Sequence, residues 1–142
     1  MTISDFRSYL AKLPPWCLSI LCLIAILWLT LAPKPLGDID PPLFEGADKV
    51  VHAIMFGGLT AMLILDRVRR NHWQPVTSLF AWRAAAASAL LGALIEVAQH
   101  LMALGRGFDR LDIYADLLGA CLTAQAILWW QKYNRHRHRS KH

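Results

Sequence analysis

His52, Glu96, Gln99, Asp112 and Asp116 are strongly polar or ionisable side chains set inside, or at the edges of, long apolar stretches. An ionised side chain at the centre of a hydrocarbon layer costs about 2.5–3.5 kcal/mol on insertion scales, so such residues face a bundle interior, pair with one another and mark binding, proton-transfer or catalytic sites. Ser88, Gly92 and Glu96 follow one another at i+4 and place a carboxylate on a face of small residues. Ala85 and Ala89 broaden that face, Gln99 extends it at i+3 from Glu96, and His100 lies at i+4 from the same residue. Asp112 and Asp116 are likewise one turn apart, with Gly119 and Thr123 continuing the seam. Two acids so placed repel, more so when desolvated, and call for a cation: Arg106, Arg110, Lys49, a bound metal or a ligand ammonium. His52 shares a stripe with Phe56 and Leu59.

Each of these residues also has a structural reading. Asp48 has the place of a helix N-cap. Glu96 can be protonated and hydrogen-bonded to a neighbouring helix. Asp112 can cap its helix while Asp116 pairs with Arg106 or Lys49. Against this stands convergence: the three segments bring their polar groups to one depth, which predicts a single pocket of Lys49, His52, Glu96, Gln99, Arg106, Asp109, Asp112 and Asp116. A metal held by His52, Glu96 and Asp112 is conceivable, but no metal or cofactor is assigned, because donors on separate segments need not meet.

The elements that position these groups follow from length and hydropathy. Of the 142 residues 56% are hydrophobic, with charge confined to short intervals, so the chain reads as one integral membrane domain rather than a soluble one. Four stretches have the character of spans: Trp16–Ala32, Val50–Leu65, Leu79–Leu104 and Leu111–Trp130. About 20 apolar residues cross the hydrocarbon as helix, so the second is short. Pro33 directly after Thr30-Leu31-Ala32 opposes cleavage, and the first span is read as a retained anchor. The expected fold is an all-α bundle of four transmembrane helices. Gly105 and Gly107 permit the bend before the fourth.

Lysine and arginine placement orients the bundle. Arg7 and Lys12, then Arg67, Arg69, Arg70 and Arg83, then Lys132, Arg135, Arg137, Arg139 and Lys141 mark three cytoplasmic segments. The alternate links carry Lys34 and Lys49 against Asp38, Asp40, Glu45 and Asp48, and Arg106 and Arg110 with Asp109. Both termini are therefore expected in the cytoplasm and the pocket on the outer side. Trp16, Trp82, Trp129, Trp130 and Tyr133 fall near the inner border, where amphipathic rings sit. The net charge of +5 is accounted for by this asymmetry and requires no nucleic acid. Residues 131–142 read as a solvated basic tail, with lipid headgroups as the alternative contact. Cys17, Cys22 and Cys121 lie in apolar stretches and behave as small hydrophobes.

Three separated groups of residues resemble the VanZ-like family of small multi-span membrane proteins: Asp48-Lys49 with His52 and Phe56; Glu96 with Gln99; and Gly105-Arg106, Phe108-Asp109, Asp112, Ala115 and Gly119. The match covers roughly Asp48 to Gln125. The family pattern usually carries Asn where this chain has Asp116, so a role resting on a neutral amide does not carry over. The resemblance implies a multi-pass protein of the bacterial plasma membrane and an association with susceptibility to teicoplanin-type glycopeptides, with no assigned reaction or cofactor.

Three functions remain open on this reading. A binding module would engage an amphiphile or lipid-linked envelope molecule, with Lys49, His52 and Arg106 meeting phosphate or carboxylate. An intramembrane hydrolase or transferase would use His52 as general base or nucleophile, Glu96 or Asp112 to orient it, and Arg106 as anion clamp. No nucleophile motif or phosphate loop supports the enzyme. A structural or regulatory partner would use the polar seam for helix association. Oligomeric state is not legible.

Overall fold

The computed structural model describes residues 2–32, 44, 46–102 and 109–139. They form five helices: α1 (Ile3–Lys12), α2 (Cys17–Leu31), α3 (Ala47–Arg70), α4 (Ser78–Leu101) and α5 (Arg110–Arg139). The N-terminal segment is therefore a helix in its own right, opened by a reciprocal capping box between Thr2 and Asp5. Hydrogen bonding from the Thr2 amide, and then from the Thr2 side chain, holds the Asp5 carboxyl below its ordinary pKa. Leu13, held extended at φ −68° and ψ 150° ahead of Pro14, ends α1.

The second expected span is longer than its apolar run. α3 has 24 residues because its charged ends, Asp48-Lys49 and Asp66 to Arg70, continue the helix. Its N-cap is Gly46, in the left-handed region at φ 83°, and Asp48 lies inside the first turn, so Asp48 is not the cap. α5 likewise continues through Arg139, and the expected tail is helical up to that residue. Near this end a cavity of about 1210 Å³ is bordered by Arg7, Trp73, Trp82, Lys132, Arg135 and His136.

Exposure runs opposite to that of a soluble bundle. Ile24, Trp28, Ile54, Leu90, Leu94, Leu118 and Leu122 face outward, whereas Asp66, Asp116, Thr60, Ser88 and Glu96 are buried. A soluble fold leaves acids at its surface. A membrane fold directs them inward and presents leucine to lipid. α3, α4 and the Arg110–Arg137 part of α5 are each long and apolar enough to cross a membrane. α2 is apolar but has 15 residues, about 22 Å of helix against about 30 Å of hydrocarbon. These are the features of an all-α membrane protein, with three helices of spanning length among the described residues.

Side-chain pairings set the directions. Lys49 of α3 meets Asp109 and Asp112 at the start of α5, so these two helices run parallel. α4 lies antiparallel to α5, with Glu96 near its C-terminal end accepting from the Asp109 amide. α2 is antiparallel to α3: Ser19 meets Asp66 near its start, and Thr30 meets Gln99 of α4 near its end. Small residues allow the close contact of α3 and α5. A Cβ on Gly57 would lie 2.8 Å from Thr123 Oγ1, and one on Gly119 would overlap the Ala53 backbone.

The opposite end of the bundle holds a lock absent from the sequence reading, which counted Arg69 only as an orienting charge. Asp66 and Arg69 form a buried ion pair. The Ser19 amide and hydroxyl donate to Asp66 Oδ2 at 2.9 and 2.7 Å. Arg69 donates from Nε to Leu10 O at 2.9 Å and from Nη2 to Leu13 O at 3.0 Å, tying the end of α1 to α3.

Candidate histidine–carboxylate site

The polar residues of α3, α4 and α5 converge at the N-terminal ends of α3 and α5. Helical spacing is the reason: His52 is buried on the same stripe as Phe56 and Leu59, Glu96 on the stripe of Ser88 and Gly92, and Asp116 above the small residues Gly119 and Ala120. Across the helices His52 Nδ1 lies 2.9 Å from Asp116 Oδ1. Asp116 is fully buried. An ionised carboxylate only accepts, so with Asp116 ionised it is Nδ1 that donates in this bond. Nε2 faces Asp112, with Oδ2 at 4.0 Å. The His52 side chain is 9% exposed.

A second layer lies nearer the mouth. Lys49 Nζ donates to Asp48 Oδ2 at 2.8 Å, Asp109 Oδ2 at 3.0 Å and Asp112 Oδ1 at 3.4 Å. An ammonium has three donors, and all three are engaged. Lys49 therefore neutralises the acids of the mouth. The Leu111 amide, donating to Asp109 Oδ1 at 2.8 Å, and then Lys49 hold the Asp109 carboxyl below the ordinary carboxylate range. Glu96 Oε2 accepts from the Asp109 amide at 3.3 Å and so fastens α4 to the start of α5.

Of the eight residues expected in the pocket, Lys49, His52, Glu96, Asp109, Asp112 and Asp116 meet here. Gln99 does not join them: its Nε2 donates to Thr30 O at 2.8 Å and satisfies a carbonyl near the end of α2. Arg106, with Gly105, Gly107 and Phe108, lies outside the described residues. Donor atoms of His52, Glu96 and Asp112 all lie within 4.8 Å of one another, as do those of Asp48, Asp109 and Asp112. In the second set Lys49 already supplies the cation.

Gly92 makes room for Asp116. A Cβ there would stand 2.8 Å from Asp116 Cγ and 3.0 Å from its Cβ. Gly92→Ala is expected to push the carboxylate off His52 and to cost about 1–3 kcal/mol, as overpacking does. Thermal unfolding in mild detergent measures the loss, and imidazole nitrogen NMR reads the broken bond. An unchanged imidazole spectrum would mean that Asp116 has another place to go.

The fold and this cluster define a class: an all-helical membrane protein with a buried histidine–carboxylate site. No protein-family model matches the chain, and neither a curated protein nor a solved structure matches it.

Proposed function

We propose that this chain is a multi-pass protein of the bacterial plasma membrane, of VanZ-like type, that binds an amphiphilic or lipid-linked envelope molecule. In this reading α2 to α5 are four spans, both termini are cytoplasmic and the His52 cluster faces outward. The basic residues at the other bundle end, Arg67, Arg69 and Arg70, support that orientation. The link to glycopeptide susceptibility rests on the family resemblance alone.

One observation carries the proposal. A groove of about 490 Å³ between α3 and α5 is walled by Ala53, Ile54, Gly58, Ala115, Leu118 and Leu122, and Lys49 also borders it. An apolar trough beside a polar cluster suits a molecule with a chain and a polar head. The chain would lie along the small residues. The head would meet Lys49, Asp109 and Asp112.

Gly58 provides the test, because it lines the groove and a Cβ there meets nothing within 4 Å, which leaves room for a larger side chain. The expected result in lipid nanodiscs, by native mass spectrometry, is a discrete amphiphile on the wild type that is lost from Gly58→Leu. The same nonspecific lipid adducts on both proteins would overturn the proposal and favour a purely structural role.

A further inference from the structure

The His52 cluster has an imbalance that Lys49 does not correct. Lys49 is committed to Asp48, Asp109 and Asp112. Deeper in, Glu96 and Asp116 are buried, and His52 is the cationic or hydrogen-donating side chain that touches Asp116 among the described residues. Its other nitrogen, Nε2, has Asp112 Oδ2 at 4.0 Å, beyond hydrogen-bond reach. Nε2 belongs to a side chain more than nine-tenths buried, and it faces the Asp112 carboxylate, with the Glu96 carboxylate in the same cluster. An imidazole nitrogen facing carboxylate oxygens in a low-dielectric interior calls for positive charge between them, from a proton or from a bound cation.

We propose that His52 Nε2, Glu96 and Asp112 form a three-ligand site for a zinc ion, with Asp116 as the residue that orients the imidazole. The donor atoms come from three helices and all lie within 4.8 Å of one another. Bonds of about 2.0–2.2 Å to nitrogen and oxygen hold donors roughly 3.4 Å apart in a tetrahedral site, so His52 Nε2 and Asp112 Oδ2, now 4.0 Å apart, need only a small side-chain rotation. One imidazole and two carboxylates select a borderline cation over calcium or magnesium, which take oxygen, and over copper(I), which takes thiolate. A carboxylate on the far nitrogen of a ligand histidine fixes its tautomer and raises its basicity, and Asp116 stands in that relation to Nδ1. Three protein ligands leave further positions open on the ion. Whatever occupies the groove, the site is complete without it.

The test uses the full chain in nanodiscs, stripped with chelator, with zinc ion alone as the probe. His136→Gln, His138→Gln and His142→Gln are introduced together first, so that tail imidazoles do not contribute. About one equivalent of zinc per chain is expected by calorimetry and elemental analysis. The isosteric changes Glu96→Gln and Asp112→Asn should each weaken binding at least tenfold, and Asp116→Asn by about 10–100-fold. X-ray absorption at the zinc edge reads the donors with His52, Glu96, Asp112 and Asp116 all intact, so it does not depend on variants that fold. One imidazole with oxygen ligands supports the site. Several imidazoles, oxygen donors alone, or affinity unchanged in Glu96→Gln and Asp112→Asn would overturn it. Zinc uptake is measured without added amphiphile, so failure here and failure of the groove experiment are separate results.

Discussion

Arg69→Ala is expected to destabilise the protein by about 3–5 kcal/mol, because removing one member of a buried ion pair strands the other. Asp66 is fully buried, and its remaining partners would be the Ser19 amide and hydroxyl on Oδ2. The loss extends beyond charge. Arg69 also donates to Leu10 O and Leu13 O, so its removal frees the end of α1 from α3. Unfolding in detergent, followed by helical circular dichroism, measures the effect. Arg70→Ala is the comparison: Arg70 is exposed and stacks on Trp16 at 5.1 Å, a contact worth about 0.5–1 kcal/mol. Equal losses in the two variants would mean that Asp66 reaches water or a second donor. The double change Asp66→Leu with Arg69→Met should lie nearer the wild type than either single change, since a buried pair replaced whole is often neutral.

Gly119→Val is expected to cost about 3 kcal/mol or more, at the upper end of overpacking effects. A Cβ at Gly119 would stand 2.7 Å from both the Cα and the carbonyl carbon of Ala53, and neither can rotate away. Relief requires α3 and α5 to separate. That separation would also pull His52 from Asp116, which sits one turn before Gly119 on the same helix. Thermal unfolding and the His52 imidazole NMR signal should therefore change together. Gly58→Ala is the control, since the space beside Gly58 is open, and it should leave both unchanged. A stable Gly119→Val protein with an intact His52 signal would show that the helices have slack at this crossing.

Much of the site was legible because helical periodicity is local. Residues three and four apart share a face whatever the rest of the chain does, so His52 with Phe56, Ser88 with Gly92 and Glu96, and Asp116 with Gly119 could be grouped before any partner was known. The structure buries these groups together. Gln99 illustrates the limit: it lies close to Glu96 in sequence, yet the rotation of α4 against α2 carries it to Thr30 O. Asp66 shows another. A lone acid among arginines at a span end reads as part of a basic link, although its i+3 spacing from Arg69 was a usable signal for a pair.

The order of charges and apolar runs by itself determined an all-α chain of membrane character, with polar faces turned inward, because burial of backbone amides and of carboxylates is decided by hydrocarbon length and by side-chain spacing. Tertiary structure alone decided which atoms meet. That Lys49 spends its three donors on Asp48, Asp109 and Asp112, and that Asp116 takes Nδ1 of His52 and leaves Nε2 toward Asp112, depends on the axial offset of α3, α4 and α5. Such offsets are set by close contacts such as Gly119 on Ala53 and Gly92 beside Asp116, where tenths of an ångström between distant segments count and no local pattern records them.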